Sequence, residues 1–319
     1  MRVPTSVLYF RACATISGLA VTCALVAACA GSAADDPAAG QTDDGTADGP
    51  AAPSFAVELF APGVVSSALP EFATSFTPSG DTVFFNRTTA DRSRIDLLYS
   101  VRAGEGWSEP RTYEPLDGVE AIDPFVSLDG RYLYVSAELP SAAGGSPSFD
   151  IWRLDRSAPS PVPVALPRGI NSDSSDVFNS ISRDGRMVFS SRRDGVRLIY
   201  ETAMRGDGWE PPTLLTLGDG SSASNPAISA DGALLVFARE VEGGSIDLWV
   251  ACRTETGWGD PTRLPEPINS DFTEFAPGFA GEELFFSSER PGVVGGQAEG
   301  VRPPGDIYRT SAAAVRTLC

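Results

Sequence analysis

Four acidic residues, at similar places in successive stretches of the chain, are the first candidates for chemistry. They are Glu71, Asp123, Asp176 and Glu274. If the strands that carry them line one channel, a ring of carboxylates could bind Ca²⁺ or a basic peptide. The same side chains could instead cap turns or lie as solvated charges at a rim. The corresponding stretch at Ser224 and Asn225 has no acid.

The absence of histidine narrows the possible chemistry. The sequence has 0 His, which excludes a Ser-His-Asp triad, a Cys-His pair and a His-ligated metal site within one chain. Carboxylates can hydrolyse glycosides without histidine. The oxygen-rich segment 171–176 lacks the Gly and the bidentate Glu of an EF-hand loop, so it does not predict a metal site.

The charge of the chain limits its partners. The formal net charge is -18, and all 24 basic residues are arginine. Such an acidic surface repels phosphate backbones, so we expect no nucleic-acid partner. Arginines follow the apolar stretches in four places, at Arg87, Arg192–Arg193, Arg239 and Arg290. They could form an anion-binding ring or pair with nearby acids.

The first 28 residues have the features of a bacterial export signal. Arg2 and Arg11 precede a mostly apolar stretch, and no acid occurs before Asp35. The sequence Val26-Ala27-Ala28-Cys29 resembles the bacterial lipobox, which implies a lipid anchor on Cys29. Ordinary signal cleavage and a retained signal anchor are the alternatives. Residue Ala30 in place of Asp resembles the sorting pattern for the outer membrane of a Gram-negative cell.

Residues 29–54 differ in composition from the rest of the chain. They consist largely of Gly, Ala, Ser, Asp, Thr and Pro. A segment with so few large apolar side chains cannot bury enough surface to fold. We therefore predict three parts, a signal peptide at 1–28, a disordered acidic tether at 29–54 and a folded domain at 55–319.

The folded part repeats itself with a period near fifty residues. A turn followed by an apolar run occurs five times, with the second turn residue at positions 80, 130, 185, 232 and 282, so that the spacings are 50, 55, 47 and 50. Asp-Gly between two apolar runs is typical of a hairpin. An apolar run without alternation indicates a strand that is buried on both faces.

Two further elements follow the apolar run. A short strand with an aromatic residue occurs in every repeat, as at Asp150-Ile151-Trp152, and a Gly-Trp turn follows it in three repeats, as at Gly106-Trp107, while the second repeat has a Pro-rich stretch instead. Each unit therefore predicts four short strands. Radial repetition of such sheets makes an all-β propeller, here of about five four-stranded blades. We expect the segment 56–62 to pair with the last repeat, so that strands from both termini close the ring.

The repeat resembles the WD40-like (PD40) repeat of TolB-type β-propellers. The clearest stretch contains Ile268-Asn269-Ser270, Glu274, Phe285–Ser288, Arg290-Pro291-Gly292 and Asp306-Ile307-Tyr308. The resemblance covers about residues 55 to 311. It implies a binding platform in the cell envelope. TolB-like proteins carry an α/β domain before the propeller, where this sequence has the predicted tether.

Two cysteines in the folded part are candidates for a disulfide. Cys252 lies on the third strand of the fourth repeat and Cys319 ends the chain. Export to an oxidising compartment would allow the pair to form. The bond would attach the terminus to a neighbouring blade.

The sequence favours binding over catalysis. We expect an envelope lipoprotein that binds a protein, a peptide or a glycan, contacts the membrane through its lipid alone, and carries no cofactor apart from a weak case for Ca²⁺. The alternatives are an enzyme that acts on glycans through channel carboxylates and a purely structural envelope protein. Two acids about 5 to 10 Å apart would favour the enzyme, and a plugged channel would favour the structural role.

The lipid anchor can be tested by labelling. When the full chain is expressed in a bacterium that lipidates exported proteins, we expect incorporation of labelled palmitate and recovery in the membrane fraction. Cys29→Ser should abolish both, because the thioether forms on that sulfur. Cys23→Ser is the matched control and should leave both intact. Palmitate on the Cys29→Ser protein would contradict the prediction.

Overall fold

The computed structural model describes residues 55–89, 93–140, 148–206, 208–293 and 305–319. The predicted signal peptide, the tether and Cys29 lie outside the described residues. Within the described ranges, no helix has both the length and the apolar character needed to span a membrane.

The described chain folds into five antiparallel sheets, the blades of a β-propeller. In each blade the chain forms an inner, a second and a third strand in succession, and a short outer strand pairs with the third. The first blade contains β2 (Glu71–Phe76), β3 (Thr82–Thr88), β4 (Ile95–Ala103), β5 (Gly106–Trp107) and β6 (Arg111–Thr112), with β1 (Glu58–Leu59) preceding it in the chain. The second contains β7 (Ala121–Val126), β8 (Tyr132–Ala137), β9 (Asp150–Asp155) and β10 (Val164–Ala165).

The other three blades repeat this order. The third contains β11 (Asp176–Ile181), β12 (Arg186–Ser191), β13 (Leu198–Arg205), β14 (Gly208–Trp209) and β15 (Thr213–Leu214). The fourth contains β16 (Ser224–Ile228), β17 (Leu234–Glu240), β18 (Ile246–Thr254), β19 (Gly257–Trp258) and β20 (Thr262–Arg263). The fifth contains β21 (Glu274–Ala280), β22 (Glu283–Ser288) and β23 (Asp306–Ser311), and the helix α1 (Ala312–Arg316) follows it.

In the first, third and fourth blades, two short outer strands pair with the third strand instead of one. In the first, β5 pairs with the end of β4 at Arg102 and Ala103, while β6 pairs with its middle at Leu98 and Tyr99. The prolines after the Gly-Trp turns separate the two short strands, as expected where a missing backbone donor interrupts a ladder. In the fifth blade the outer strand is β1, since Glu58 pairs with Arg309 and Leu59 pairs with Tyr308.

The hydrophobic core lies between the blades. Five clusters of buried side chains each join two neighbouring sheets, including the fifth and the first, where Phe285 packs with Val83 and Phe85. The second strands are buried on both faces, as the apolar runs predicted. The packing is tight, because a Cβ at Gly278 of the fifth blade would lie 2.8 Å from the carbonyl oxygen of Thr74 in the first.

Every inner strand contains a bulge at the same place. The third residue of each strand, or the second in the shorter β16, has a left-handed backbone although none is glycine, and the pairing register shifts there. The five residues are Ala73, Asp123, Phe178, Asn225 and Ala276, with φ between 48° and 56°. Such strain persists where the surroundings over-determine the backbone, and a bulge redirects the side chains that follow it.

A disulfide joins Cys252 on β18 to Cys319 after α1, with the two Cα atoms 5.6 Å apart. It closes a loop with a sequence separation of 67 residues. The bond ties the C-terminal segment, which follows the fifth blade, to the third strand of the fourth blade.

Loss of this bond should lower stability. For Cys252→Ser we expect a loss of about 2–4 kcal/mol, because the crosslink restricts the unfolded chain, and a fall in Tm of roughly 5–15 °C. Thermal unfolding with and without a reductant measures this. The reductant should bring the wild-type protein to the Tm of the variant and leave the variant unchanged. Equal Tm values under both conditions would contradict the prediction.

Candidate functional site: the central channel

The inner strands surround a cavity of about 690 Å³ in the middle of the propeller. Its walls include inner-strand residues of all five blades, and the hairpin turns after those strands surround its mouth, as at Pro78–Gly80 and Ser127–Leu128. The same cavity extends between the first and fifth blades, where Phe60, Trp107 and Phe285 line it. We call the level of the bulges the channel waist. The size is within the range of small-molecule sites in proteins.

Asp123 is the acidic residue at the channel waist. It is the bulge residue of β7, it is 3 % exposed, and its backbone N–H donates to Oδ1 of Asn86 in the first blade at 2.9 Å. Both carboxyl oxygens are buried and do not contact the open cavity. Burial raises the pKa of Asp123 to about 8, and the charge of Arg197 together with the nearby Ser136 hydroxyl and Phe178 N–H opposes this in part.

Asn179 on the neighbouring inner strand also lines the cavity. It is 5 % exposed, and neither its side-chain nitrogen nor its side-chain oxygen has a partner among the described residues. The sequence analysis did not select Asn179. Alignment of the five inner strands at their bulges would have placed it directly after Phe178, the counterpart of Asp123.

The other three predicted acids lie outside the cavity wall. Glu71, Asp176 and Glu274 are the first residues of their inner strands, two residues before the bulge, and are 0 % exposed. The equivalent positions in the second and fourth blades are Ala121 and Ala223. The four acids therefore do not form one ring, and a role of these three in ligand binding remains a prediction.

Each of these three acids is held by an arginine of the same blade. The N···O distances are 2.7 Å for Arg87 and Glu71, 2.9 Å for Arg193 and Asp176, and 3.1 Å for Arg290 and Glu274. A serine four residues before each acid donates its N–H and its hydroxyl to the same carboxylate. These serines are Ser67, Ser172 and Ser270.

The arginines also bind the chain that enters each blade. Arg290 donates to the carbonyl oxygens of Pro267 and Ile268, and Arg193 to those of Gly169 and Ile170. These contacts hold the connections between blades in place. Burial nevertheless raises the pKa of Glu71 to about 7, although Ser67 and Arg87 act in the opposite direction.

These arginines pair with acids of their own blades and do not form an anion-binding ring. Arg239 follows the same pattern, with Asp219 at 3.6 Å and the carbonyl of Leu217 at 2.8 Å. The segment 171–176 is likewise occupied by its own contacts, since Ser172 donates to Asp176. Within the described ranges, no three His, Cys, Asp or Glu side chains come together as metal ligands.

The similarity of this chain to known proteins is structural. No protein-family model matches the chain, and no curated protein sequence matches it. A putative TolB from Agrobacterium tumefaciens superposes with a TM-score of 0.46 and 17 % identity, over 69 % of this chain and 70 % of that one. TolB from Acinetobacter baumannii gives 0.45 and 14 %, over 81 % of this chain and 63 % of that one, which is less than two thirds of its length.

Enzymes are among the structural neighbours as well. The catalytic domain of the GH62 α-L-arabinofuranosidase of Coprinopsis cinerea superposes with a TM-score of 0.52 and 13 % identity, over 81 % of this chain and 97 % of that domain. At this level of identity the likeness shows a shared fold alone, because one fold carries many functions. The function must therefore be argued from the site itself.

The raised pKa of Asp123 predicts a pH-dependent stability. The folded protein keeps this proton up to about pH 8, whereas the unfolded chain loses it near pH 4. The stability contributed by the protonated form is fully present below pH 4 and is lost as the pH rises to 8. Asp123→Asn cannot ionise, so it should be more stable than the wild type at pH 9, by up to several kcal/mol.

Urea unfolding between pH 5 and pH 9 measures this difference. Asp129→Asn is a suitable control, because Asp129 lies in an exposed turn and the pKa of its carboxyl is lowered by the Ser127 hydroxyl. That variant should gain nothing at pH 9. The prediction would be contradicted if the difference in unfolding free energy between the wild type and Asp123→Asn were the same at pH 5 and at pH 9.

Proposed function

We propose that this protein is a lipid-anchored binding protein of the cell envelope, whose propeller channel receives part of a protein, peptide or glycan partner. The open cavity lined by all five inner strands is the observation that carries this proposal. Its size is within the range of pockets that receive ligands in proteins.

The arrangement of the acids favours binding over glycoside hydrolysis. Hydrolysis with two carboxyl groups requires both to face the same glycosidic bond. Among the described lining residues, Asp123 is the carboxyl on an inner strand, while Glu105 lies in the turn between β4 and β5 and Glu283 begins β22. Glu283 is already paired with Arg309 at 3.0 Å, and Glu105 is exposed in a hairpin turn.

The cavity also argues against a purely structural role. A propeller that served as a spacer could fill its channel with side chains, as small closed barrels do. Here a cavity of about 690 Å³ is left open, which includes the space between the inner strands and extends between the first and fifth blades.

The proposal also covers how the propeller is attached to the membrane and how its ring is closed. Export and a lipid on Cys29 would attach the domain to the membrane, at the outer membrane if the cell is Gram-negative. Pairing of β1 with β23 would close the ring with strands from both ends of the propeller sequence, and so keep the channel walls fixed while a partner binds.

Blocking the mouth of the cavity tests this function. The full-length protein is used to capture partners from its native envelope, and bound material is analysed for proteins and glycans. Leu128→Trp adds a large side chain at the cavity mouth, and we expect it to reduce capture at least tenfold. Val162→Trp is the matched control, because Val162 is 68 % exposed and does not line the cavity.

The two variants give opposite expectations, which makes the result decisive. Capture retained by Val162→Trp and lost by Leu128→Trp supports a channel-binding protein. Equal capture by both, or no specific capture by the wild type, would refute the proposal.

A further inference from the structure

A second opening in the molecule is a groove of about 560 Å³ between the outer strands of the second and third blades. One wall consists of β10 and the connection that follows it, and the other consists of the Gly-Trp turn of the third blade with Pro211 and Pro212. Arg153 on β9 and Trp209 on β14 both line this opening, and each is half-buried. We call it the interblade groove.

Arg153 has an equivalent residue in two other blades, as the strand register shows. Arg153, Glu201 and Arg309 each lie on a third strand, opposite the first residue of a short outer strand. Each also lies at the junction with a blade that carries a Gly-Trp turn. The tryptophans at these junctions are Trp209, Trp258 and Trp107, respectively.

The junction between the third and fourth blades contains a carboxylate that joins the two sheets. Glu201 accepts a hydrogen bond from the Nε1–H of Trp258 at 3.0 Å. The same carboxylate pairs with Arg253 of the fourth blade, with an N···O distance of 3.3 Å. One carboxyl group thus satisfies an indole N–H and an arginine together.

The junction between the fifth and first blades contains carboxylates as well. Arg309 pairs with Glu58 at 2.8 Å and with Glu283 at 3.0 Å. Glu58 lies opposite Arg309 on the outer strand, and Glu283 begins the second strand. The chain itself therefore neutralises the arginine at this junction.

In the interblade groove, uncharged residues take the positions of those two acids. The residue that corresponds to Glu58 is Val164, which is 55 % exposed, and the residue that corresponds to Glu283 is Tyr132. The guanidinium of Arg153 lies over the ring of Tyr132, 4.5 Å from its centre. The second blade has thus kept the arginine of the fifth and lost both of its partners.

Arg153 and Trp209 therefore keep unused hydrogen-bonding capacity. Within the described ranges, Arg153 pairs with no acid and the Nε1–H of Trp209 has no acceptor. The other two charged side chains that line the groove, Arg168 and Glu210, belong to ion pairs of their own. Hydrogen bonds between arginine and a carboxylate are strong, and an indole N–H bonds readily to an oxygen. A carboxylate supplied by a ligand suits both groups.

The remainder of the groove indicates what carries that carboxylate. Val164, Leu166, Pro167 and the two prolines of the third blade make its walls largely apolar. β10 is the edge strand of the second sheet, so one side of it is open to a further extended chain. Extended peptides add to such edges and place alternate side chains in adjoining pockets. A protein segment with an acidic residue between apolar residues matches these features.

The net charge of the protein permits this ligand. Although the chain carries a formal charge of -18, repulsion between exposed charges is screened over about 8 Å at physiological ionic strength. A carboxylate bonded to Arg153 lies well within that distance of the guanidinium, so the local attraction outweighs the repulsion from distant acids.

We propose that the interblade groove binds an extended, apolar segment of a partner protein, in which one glutamate side chain accepts hydrogen bonds from Arg153 and from the Trp209 indole. The partner's carboxylate takes the place that Glu201 has in the next junction. This site is separate from the channel, and the inference does not depend on the function proposed there.

The first experiment uses the full-length protein and an array of short peptides that are capped at both ends. A central glutamate in each peptide is flanked by varied apolar residues. Calorimetric titration then measures the affinity of the strongest binder in solution. We expect at least one peptide to bind. Replacement of its glutamate by glutamine should lower the affinity at least tenfold, because the charge-assisted bond to Arg153 is lost.

Substitutions in the protein test the two donors. We expect Arg153→Gln to lower the affinity for the glutamate peptide at least tenfold. Trp209→Phe keeps an aromatic ring but removes the N–H, and should lower it at least threefold. Arg111→Gln is the matched control, since Arg111 is exposed on β6 of the first blade and lines neither opening. It should bind as the wild type does, and thermal unfolding verifies that each variant is folded.

NMR of isotope-labelled tryptophan gives a readout that a merely structural role would not move. The indole N–H resonance of Trp209 should shift when the glutamate peptide is added, and should shift less with the glutamine peptide. The resonance of Trp258 should stay in place, because its N–H is already bonded to Glu201. Each resonance is identified by its loss in the corresponding phenylalanine variant.

Several results would overturn the inference. These are the absence of binding across the array, equal affinity for the glutamate and glutamine peptides, and equal affinity of Arg153→Gln and Arg111→Gln. Tighter binding of an uncapped peptide without glutamate would assign the groove to a chain terminus and would also overturn it. Loss of envelope capture in Leu128→Trp without any peptide binding would refute this inference alone.

Discussion

Hydrogen bonds between neighbouring sheets join the first four blades of the ring. In the second, third and fourth blades, the backbone N–H of the bulge residue in the inner strand donates to a polar side chain on the second strand of the preceding blade. Asn86 accepts from Asp123, Ser136 from Phe178 and Ser190 from Asn225, at 2.9, 3.3 and 3.1 Å. A buried N–H without an acceptor is costly. The bulges of these three blades therefore depend on the preceding sheet, so that neighbouring sheets stabilise one another.

A second set of contacts holds the chain as it passes from one blade to the next. The side chain of Asn171 accepts from the N–H of Ile151 and donates to its carbonyl oxygen in the preceding blade. Asn269 makes the same two bonds with Leu248. Ser66 contacts Ile307 in the same way. The serine, the acid and the arginine that follow complete each connection. This set occurs before the first, third and fifth blades, while Ala121 and Ala223 take the acid position in the others.

These two constraints place one acid at the channel waist and three at the connections between blades. The acids at the strand starts are used by the blade connections, where buried ion pairs keep them in place. Asp123 lies at the bulge, where its backbone N–H makes the interblade bond and its buried carboxyl group lies beside the Ser136 hydroxyl, the Phe178 N–H and Arg197.

Much of the fold follows from local patterns in the sequence. The five Asp-Gly or related turns, the apolar runs and the Gly-Trp turns predict five sheets, because turn chemistry and strand burial act over a few residues. The sequence also determines that histidine chemistry is absent and that the chain is strongly acidic. The tertiary structure decided which side chains face the channel. The bulge shifts the register of each inner strand, and its acceptor is 37 residues distant for Asp123 and 42 for Phe178. Local propensity acts over a few residues and cannot show a contact across that separation, so the position of the bulge, and with it the set of waist residues, is decided when the blades pack.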